Sequence, residues 1–247
     1  MENLWLIRHS ERLKDLEEAK WKLSKRYIEN KYDDPITNNG KKIAKLCANN
    51  LVKNDPNIDQ FEFIYSSPMT RCIQTSILIS KTIFKLINKL IKIRIEYNLA
   101  PNLNVPYNDL ELKNNKIVVV PKILLDDKLQ IKNIIKKYTD KGYGQYFDTD
   151  YNSISIFDET KFFNYDVLNY YNKKINILDQ IKSNHKNIII CTHADIFYPF
   201  IFGLTKEDPN KIINKDKIRT YCISLLFNNV DNVYQLKNTI SNDTFVN

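Results

Sequence analysis

An α/β fold built on a parallel sheet is predicted by three observations. Short apolar runs of strand length recur at Leu4–Ile7, Phe61–Tyr65 and Asn187–Cys191. Each breaks off abruptly into polar residues. Between the runs lie stretches whose apolar residues recur at helical spacing. Buried strands alternating with helices assemble side by side in one sheet, and ligands gather just past the carboxyl ends of such strands.

Leu4–Ile7 leads directly into Arg8 and His9, with Ser10, Glu11 and Arg12 on the loop beyond. From Glu11 to Lys31 the chain is charged and only partly helical in pattern. Thr37 is predicted as an N-cap, because Ile43, Ala44, Leu46, Cys47 and Leu51 follow at helical spacing to about Lys53. After the Phe61–Tyr65 strand, Ser67 is read as the next N-cap, with Pro68 at the first helical position. The apolar side of that helix continues to Leu90. Ile91–Ile95 alternates apolar and basic residues, which predicts a strand with Glu96 at its end. The stretch from Tyr97 to Lys161 is less regular: a short strand at Ile117–Val120, helical spacing over Ile123–Tyr138, then loop-like residues through Asp158. It reads as an insertion, about 97–161, that covers or rims the site within one domain spanning 1–247. Lys161–Ser183 predicts a helix, Asn187–Cys191 a β-branched strand ending at Thr192 and His193, and Ile196–Leu204 a helix. Tyr221–Phe227 and Val233–Leu236 predict the closing strands.

The 247 residues are 43% hydrophobic, enough for a substantial core, and carry a formal net charge of +8. The lysines are scattered, and no nucleic-acid motif accompanies them, so the charge favours anionic ligands in general and nucleic acid is not expected as a partner. No apolar run approaches the roughly 20 residues a membrane helix needs, and the first residues lack a secretory signal. Cys47, Cys72, Cys191 and Cys222 form no C-x-x-C pair, which predicts reduced, core thiols in a cytoplasmic protein. A monomer or homodimer without membrane attachment is expected.

Three predicted strands thus end in residues able to handle phosphate. The first ends in Arg8 and His9, the second leads through Ser66-Ser67-Pro68 to Arg71, and the third ends in His193. Imidazole can act as a nucleophile toward phosphorus, and a fixed guanidinium grips phosphate oxygens. The remaining histidine, His185, lies in a polar turn and reads as a surface residue. Arg-His taken alone favours the plainer reading, an edge strand followed by a charged, solvated loop.

Four stretches in order remove that ambiguity: L-I-R-H-S-E-R, D-D-P-I-T-N-N-G-K-K-I-A, Y-S-S-P-M-T-R-C-I-Q-T and I-I-I-C-T-H-A. Together they resemble the histidine phosphatases, the phosphoglycerate-mutase-like superfamily. The resemblance implies a three-layer α/β/α sandwich with a mostly parallel central sheet. It implies that His9 attacks phosphorus, while Arg8, Arg71 and His193 surround the phosphoryl oxygens and Arg12 adds a further cation. Substrate contacts are thereby expected from Arg8, Arg12, Arg71, His193 and Ser10. A carboxylic acid must protonate the leaving oxygen. I-K-I-R-I-E-Y-N-L resembles I-R-V-E-P-G-L in one branch, which points to Glu96; Asp195, near the second histidine, is the runner-up. Charge stabilisation falls to arginine and histidine, so neither a metal nor a cofactor is expected.

The mutases of the superfamily carry a Trp-Asn and Phe-x-Gly-Trp loop soon after Arg-His-Gly, and this chain has none. Its R-H-S-E-R, Trp21 and F-D-T-D-Y (Phe147–Tyr151) resemble instead the phosphatase domain of the suppressor of T-cell receptor signalling proteins and the steroid-phosphate phosphatases. The leading expectation is a phosphomonoester hydrolase acting on a small molecule or a phosphotyrosyl protein. Phosphoglycerate mutase-type transfer and a non-catalytic phospholigand-binding domain are the alternatives. Ser10 stands where the family has glycine, and a modest loss of activity is expected from it.

Overall fold

The computed structural model describes residues 2–25, 27, 33–101, 112–113, 116–117, 131–154 and 167–242. Six strands form the central sheet: β1 (Asn3–Arg8), β2 (Phe63–Ser66), β3 (Lys92–Ile95), β4 (Asn187–Thr192), β5 (Ser224–Val230) and β6 (Val233–Ile240). Their spatial order is β3-β2-β4-β1-β5-β6. The first four are parallel, and β5 and β6 close the sheet antiparallel. Asp231 and Asn232, both at positive φ, make the tight turn between β5 and β6.

Alternation along β1 explains the layers. Trp5 and Ile7 face one core, shared with α1 (Asn38–Asn54) and α2 (Thr70–Ile87). Leu4 and Leu6 face a second core, shared with α4 (Val167–Asn184) and α5 (Ala194–Thr205). A strand buried on both sides needs apolar residues at every position, and Leu4–Ile7 supplies them. A shorter helix, α3 (Ile131–Thr139), packs Ile134 and Tyr138 into the first core. The result is the three-layer α/β/α arrangement with a mostly parallel sheet.

Several expected boundaries move. The charged stretch after Arg12 forms two short helices, Leu13–Leu16 and Glu18–Lys22, and buries Trp21. The helix expected from Pro68 begins two residues later at Thr70, although the Ser67 hydroxyl still accepts from the Met69 amide at 3.3 Å. Its first amide is capped from a distance: the Asp33 carboxylate accepts from both the amide and the hydroxyl of Thr70. In the 97–161 region, Lys116–Ile117 pairs with Leu112–Lys113, whereas 118–120, the first half of the 123–138 helix and residues 155–161 lie outside the described residues. Four cysteines are buried and unpaired by disulfides, as core thiols. Among the described residues, no helix is long and apolar enough to cross a membrane.

Candidate active site

Strand register lines up the site. Ile7 pairs with Cys191, Cys191 with Ser66, and Ser66 with Ile95. The next residue on each strand, Arg8, Thr192, Ser67 and Glu96, therefore forms the carboxyl edge of the sheet. At about 4.8 Å per strand spacing, this edge runs about 14 Å from Arg8 to Glu96.

The edge is tied together at β4. The His9 amide donates to the Thr192 carbonyl at 2.9 Å, and the Ser67 amide to the Cys191 carbonyl at 3.1 Å. On the far side, the Thr192 hydroxyl donates to the Leu99 carbonyl at 2.8 Å, which seats the turn after Glu96 against the same strand end. His9 and His193 face each other with ring centroids 5.1 Å apart. His9 Nδ1 lies 2.8 Å from the Ser10 carbonyl. A carbonyl can only accept, so Nδ1 carries the proton and Nε2 keeps its lone pair. Burial, then the charges of Arg71 and Arg8, hold the His9 pKa well below its ordinary 6.5. His193 is likewise depressed by burial, Arg71 and His9, and its Nε2 sits 2.9 Å from the Ser67 hydroxyl and 3.3 Å from the Cys72 thiol.

The three arginines are held differently. Arg8 has its guanidinium carbon 5.0 Å above the Tyr221 ring, and its Nε and Nη1 are buried with no hydrogen-bond partner among the described residues. Buried donors are normally satisfied, so these two are donors with capacity to spare at the sheet edge. Arg71 is buried and reaches Asp34 at 3.4 Å. Arg12 turns to Asp15, with Nε 2.8 Å from both carboxylate oxygens, and Asp34 lies 3.8 Å from the same Nε. Asp15 in turn accepts from the Tyr221 hydroxyl at 2.7 Å.

Ser10 corrects an expectation. Its hydroxyl, expected toward the phosphate, donates to the Gly40 carbonyl at 2.7 Å, and a hydroxyl has one proton to give. Its backbone is not among those at positive φ, so the β-carbon brings no strain. His185 is another: far from being a bare surface residue, it packs at 5.0 Å from Phe63 and meets Arg94 Nη1 at 2.8 Å. Glu96 is fully buried at the expected edge; its carboxylate accepts from the Tyr151 hydroxyl at 2.9 Å and from the Ile154 and Asn98 amides at 2.8 and 3.3 Å. Asp195 lies in the first turn of α5 and helps hold the charge of Lys174.

Several supporting residues had no role in the sequence reading. Thr75 accepts from the Ser10 amide at 3.0 Å and donates to the Arg71 carbonyl at 2.7 Å, while Gln74 accepts from the Ile36 amide. Asp34 stands between Arg71 and Arg12, and burial raises its pKa above the ordinary carboxylate value. Lys174 is buried, donates to the Ala100 carbonyl at 2.9 Å and to that of Asn98, and has its pKa lowered to about 8 by burial. Gln74, Thr75 and Asp34 lie inside the quoted motifs; Lys174 lies in an ordinary helical stretch that offers no signal.

The carboxyl edge of a doubly covered sheet thus brings together an imidazole nitrogen with a free lone pair, a facing histidine and buried guanidinium groups. Residues 4–94 match the histidine phosphatase superfamily (branch 1), the family the motifs resemble, and the match contains Arg8, His9 and Arg71. Among solved structures, the chain is similar to the ecdysone phosphate phosphatase of Bombix mori, at 14% identity over 96% of this chain and 92% of that one, with a TM-score of 0.62. It is also similar to phosphoserine phosphatase from Entamoeba histolytica, at 20% identity over 98% of each chain, with a TM-score of 0.51. Both likenesses are of fold, the phosphoglycerate-mutase-like arrangement of sheet and helices described above. No curated protein sequence matches it.

Proposed function

We propose that this chain is a phosphomonoester hydrolase working through a phosphohistidine on His9. The observation that carries the reading is the state of His9: Nδ1–H is committed to the Ser10 carbonyl, and burial beside Arg71 and Arg8 keeps the ring neutral. Nε2 is then a ready nucleophile. The unpartnered nitrogens of Arg8, together with Arg71 and His193, receive the phosphoryl oxygens as charge builds. Glu96 enters from the other end of the same edge, protonates the leaving oxygen, and later takes a proton from the water that cleaves the phosphohistidine. The names of the two similar structures, an ecdysone phosphate phosphatase and a phosphoserine phosphatase, support hydrolysis over mutase transfer.

The test is p-nitrophenyl phosphate hydrolysis from pH 4 to 8 with EDTA present, by the wild type and His9→Ala. Wild-type turnover is expected to survive EDTA and to show no loss of nucleophile at pH 6.5, because His9 protonates only well below that value. The variant is expected to lose on the order of 10³-fold or more. Brief incubation with labelled substrate is expected to leave an acid-labile, base-stable label on the wild type only. Equal turnover by both proteins, or no label, would sink the proposal.

A further inference from the structure

Residues 147–154 are stitched to the edge strand and end on Glu96. Phe147 bridges Ile93, and the Asp148 amide donates to the Ile93 carbonyl at 3.0 Å. The Asp148 carboxylate accepts from Arg94 Nε at 2.7 Å. Arg94 lies flat on Phe63, 3.4 Å from its centroid, donates to the Tyr65 hydroxyl at 3.0 Å, and sits 4.9 Å from the centre of the Tyr151 ring. Tyr65 meets that ring edge-on at 5.7 Å. Tyr151 is thus gripped by a cation and an aromatic edge, each of which orders a ring without consuming its hydroxyl. The hydroxyl goes to Glu96 Oε2.

We propose that Tyr151 is a positioning residue for the proton donor, acting with the Ile154 and Asn98 amides to fix the rotation of the Glu96 carboxylate, with Arg94 holding Tyr151 in place. The proposal rests on the reading of Glu96 as general acid. In the step it serves, the Glu96 O–H bond breaks as the leaving oxygen gains the proton, the phosphorus–oxygen bond breaks, and the bond from His9 Nε2 to phosphorus forms. A carboxyl free to rotate spends part of its time with its proton turned away from the leaving oxygen, and that loss is felt only when the leaving group needs the proton.

The F-D-T-D-Y stretch acquires a purpose from this geometry. Phe147 and Asp148 anchor it to β3 and Arg94, and Tyr151 delivers the contact.

Leaving-group dependence separates positioning from mere structural support. Phosphoenzyme formation by the full chain is measured in single turnover with p-nitrophenyl phosphate, whose phenolate leaves readily, and with O-phosphoserine, whose alkoxide must be protonated. Tyr151→Phe is expected to slow the serine ester about tenfold, the scale of one hydrogen bond to a charged group. Apparent substrate affinity and the nitrophenyl rate are expected to stay within about twofold. Arg94→Lys, which keeps the charge on Asp148 and loses the flat stacking, is expected to move both rates in the same pattern. Equal losses on both substrates, or no loss on either, would overturn the role of Tyr151. Glu96→Gln run alongside tells the two levels apart. If it shows no preference between the substrates, the acid assignment fails and takes the proposal with it. If it does while Tyr151→Phe does not, the positioning role alone fails.

Discussion

At position 10 the chain carries a β-carbon and a hydroxyl where the family pattern has glycine. The backbone there is outside the left-handed region, so the glycine's conformational freedom is not needed. The hydroxyl is buried and bridges to Gly40 at the start of α1, while the amide of the same residue donates to Thr75 on α2. Ser10 therefore works as a strut between two helices and the loop that carries His9. Ser10→Ala is expected to lower stability in urea denaturation by about 1 kcal/mol, the net worth of a typical hydrogen bond. Ser10→Gly is expected to cost about 0.5–1 kcal/mol more through backbone entropy. Catalytic constants on p-nitrophenyl phosphate should change little in comparison. Unchanged stability with a large rise in KM would return the hydroxyl to the phosphate.

One helix terminus shows what local sequence can and cannot disclose. Thr37 was predicted to cap α1, and its hydroxyl does accept from the Gly40 amide at 2.7 Å. The same hydroxyl donates to Glu11, whose other oxygen accepts from Asn39, and the Glu11 carbonyl accepts from the Thr37 amide at 3.0 Å. The motif glycine that follows has a steric reason. A β-carbon on Gly40 would lie 2.4 Å from the Glu11 backbone oxygen, and backbone cannot swing aside as a side-chain tip can. Gly40→Ala is expected to force the 9–12 loop off α1 and to cost about 1–3 kcal/mol in stability, the usual range for overpacking. Activity should fall at the same time, because Arg12 lies on that loop. Wild-type stability together with wild-type turnover would show that the loop gives way freely. The start of α2 shows a complementary limit. Ser67 and Pro68 have the local signature, and the Ser67 hydroxyl accepts from the Met69 amide at 3.3 Å, but it is shared with His193, and the Thr70 amide is capped by Asp33, 37 residues away. Capping chemistry is local, whereas competition for a capping side chain is tertiary.

Across the whole molecule, what was legible in sequence is what backbone periodicity and strand ends encode. Unbroken apolar runs marked β1 and β4, and register then brought Arg8, Thr192, Ser67 and Glu96 to one edge. Partners set by packing were not legible: Asp34 between two arginines, Lys174 under the Glu96 turn, and Arg94 on Phe63 involve side chains distant in sequence or of commonplace type. The same packing buries His9 and His193 beside cations, and this has a consequence for folding as well as for catalysis. Both are held well below 6.5, and half-buried His185 is lowered too, by burial and Arg94. An unfolded chain therefore binds more protons than the native one just below pH 6.5, so native stability is fully present above that value and falls as the pH drops through the window beneath it. Each buried histidine contributes a slope approaching about 1.4 kcal/mol per pH unit there. Asp34, raised by burial, acts in the opposite sense, but its window opens at the carboxylate value of 3.8. Urea midpoints are expected to fall between pH 6.5 and 5.5 in the wild type, and less steeply in His9→Gln or His193→Gln. A wild-type stability that is flat over that interval, or a slope that either substitution leaves unchanged, would mean that these imidazoles gain protons as readily in the folded chain as outside it, and the neutral nucleophile would lose its physical basis.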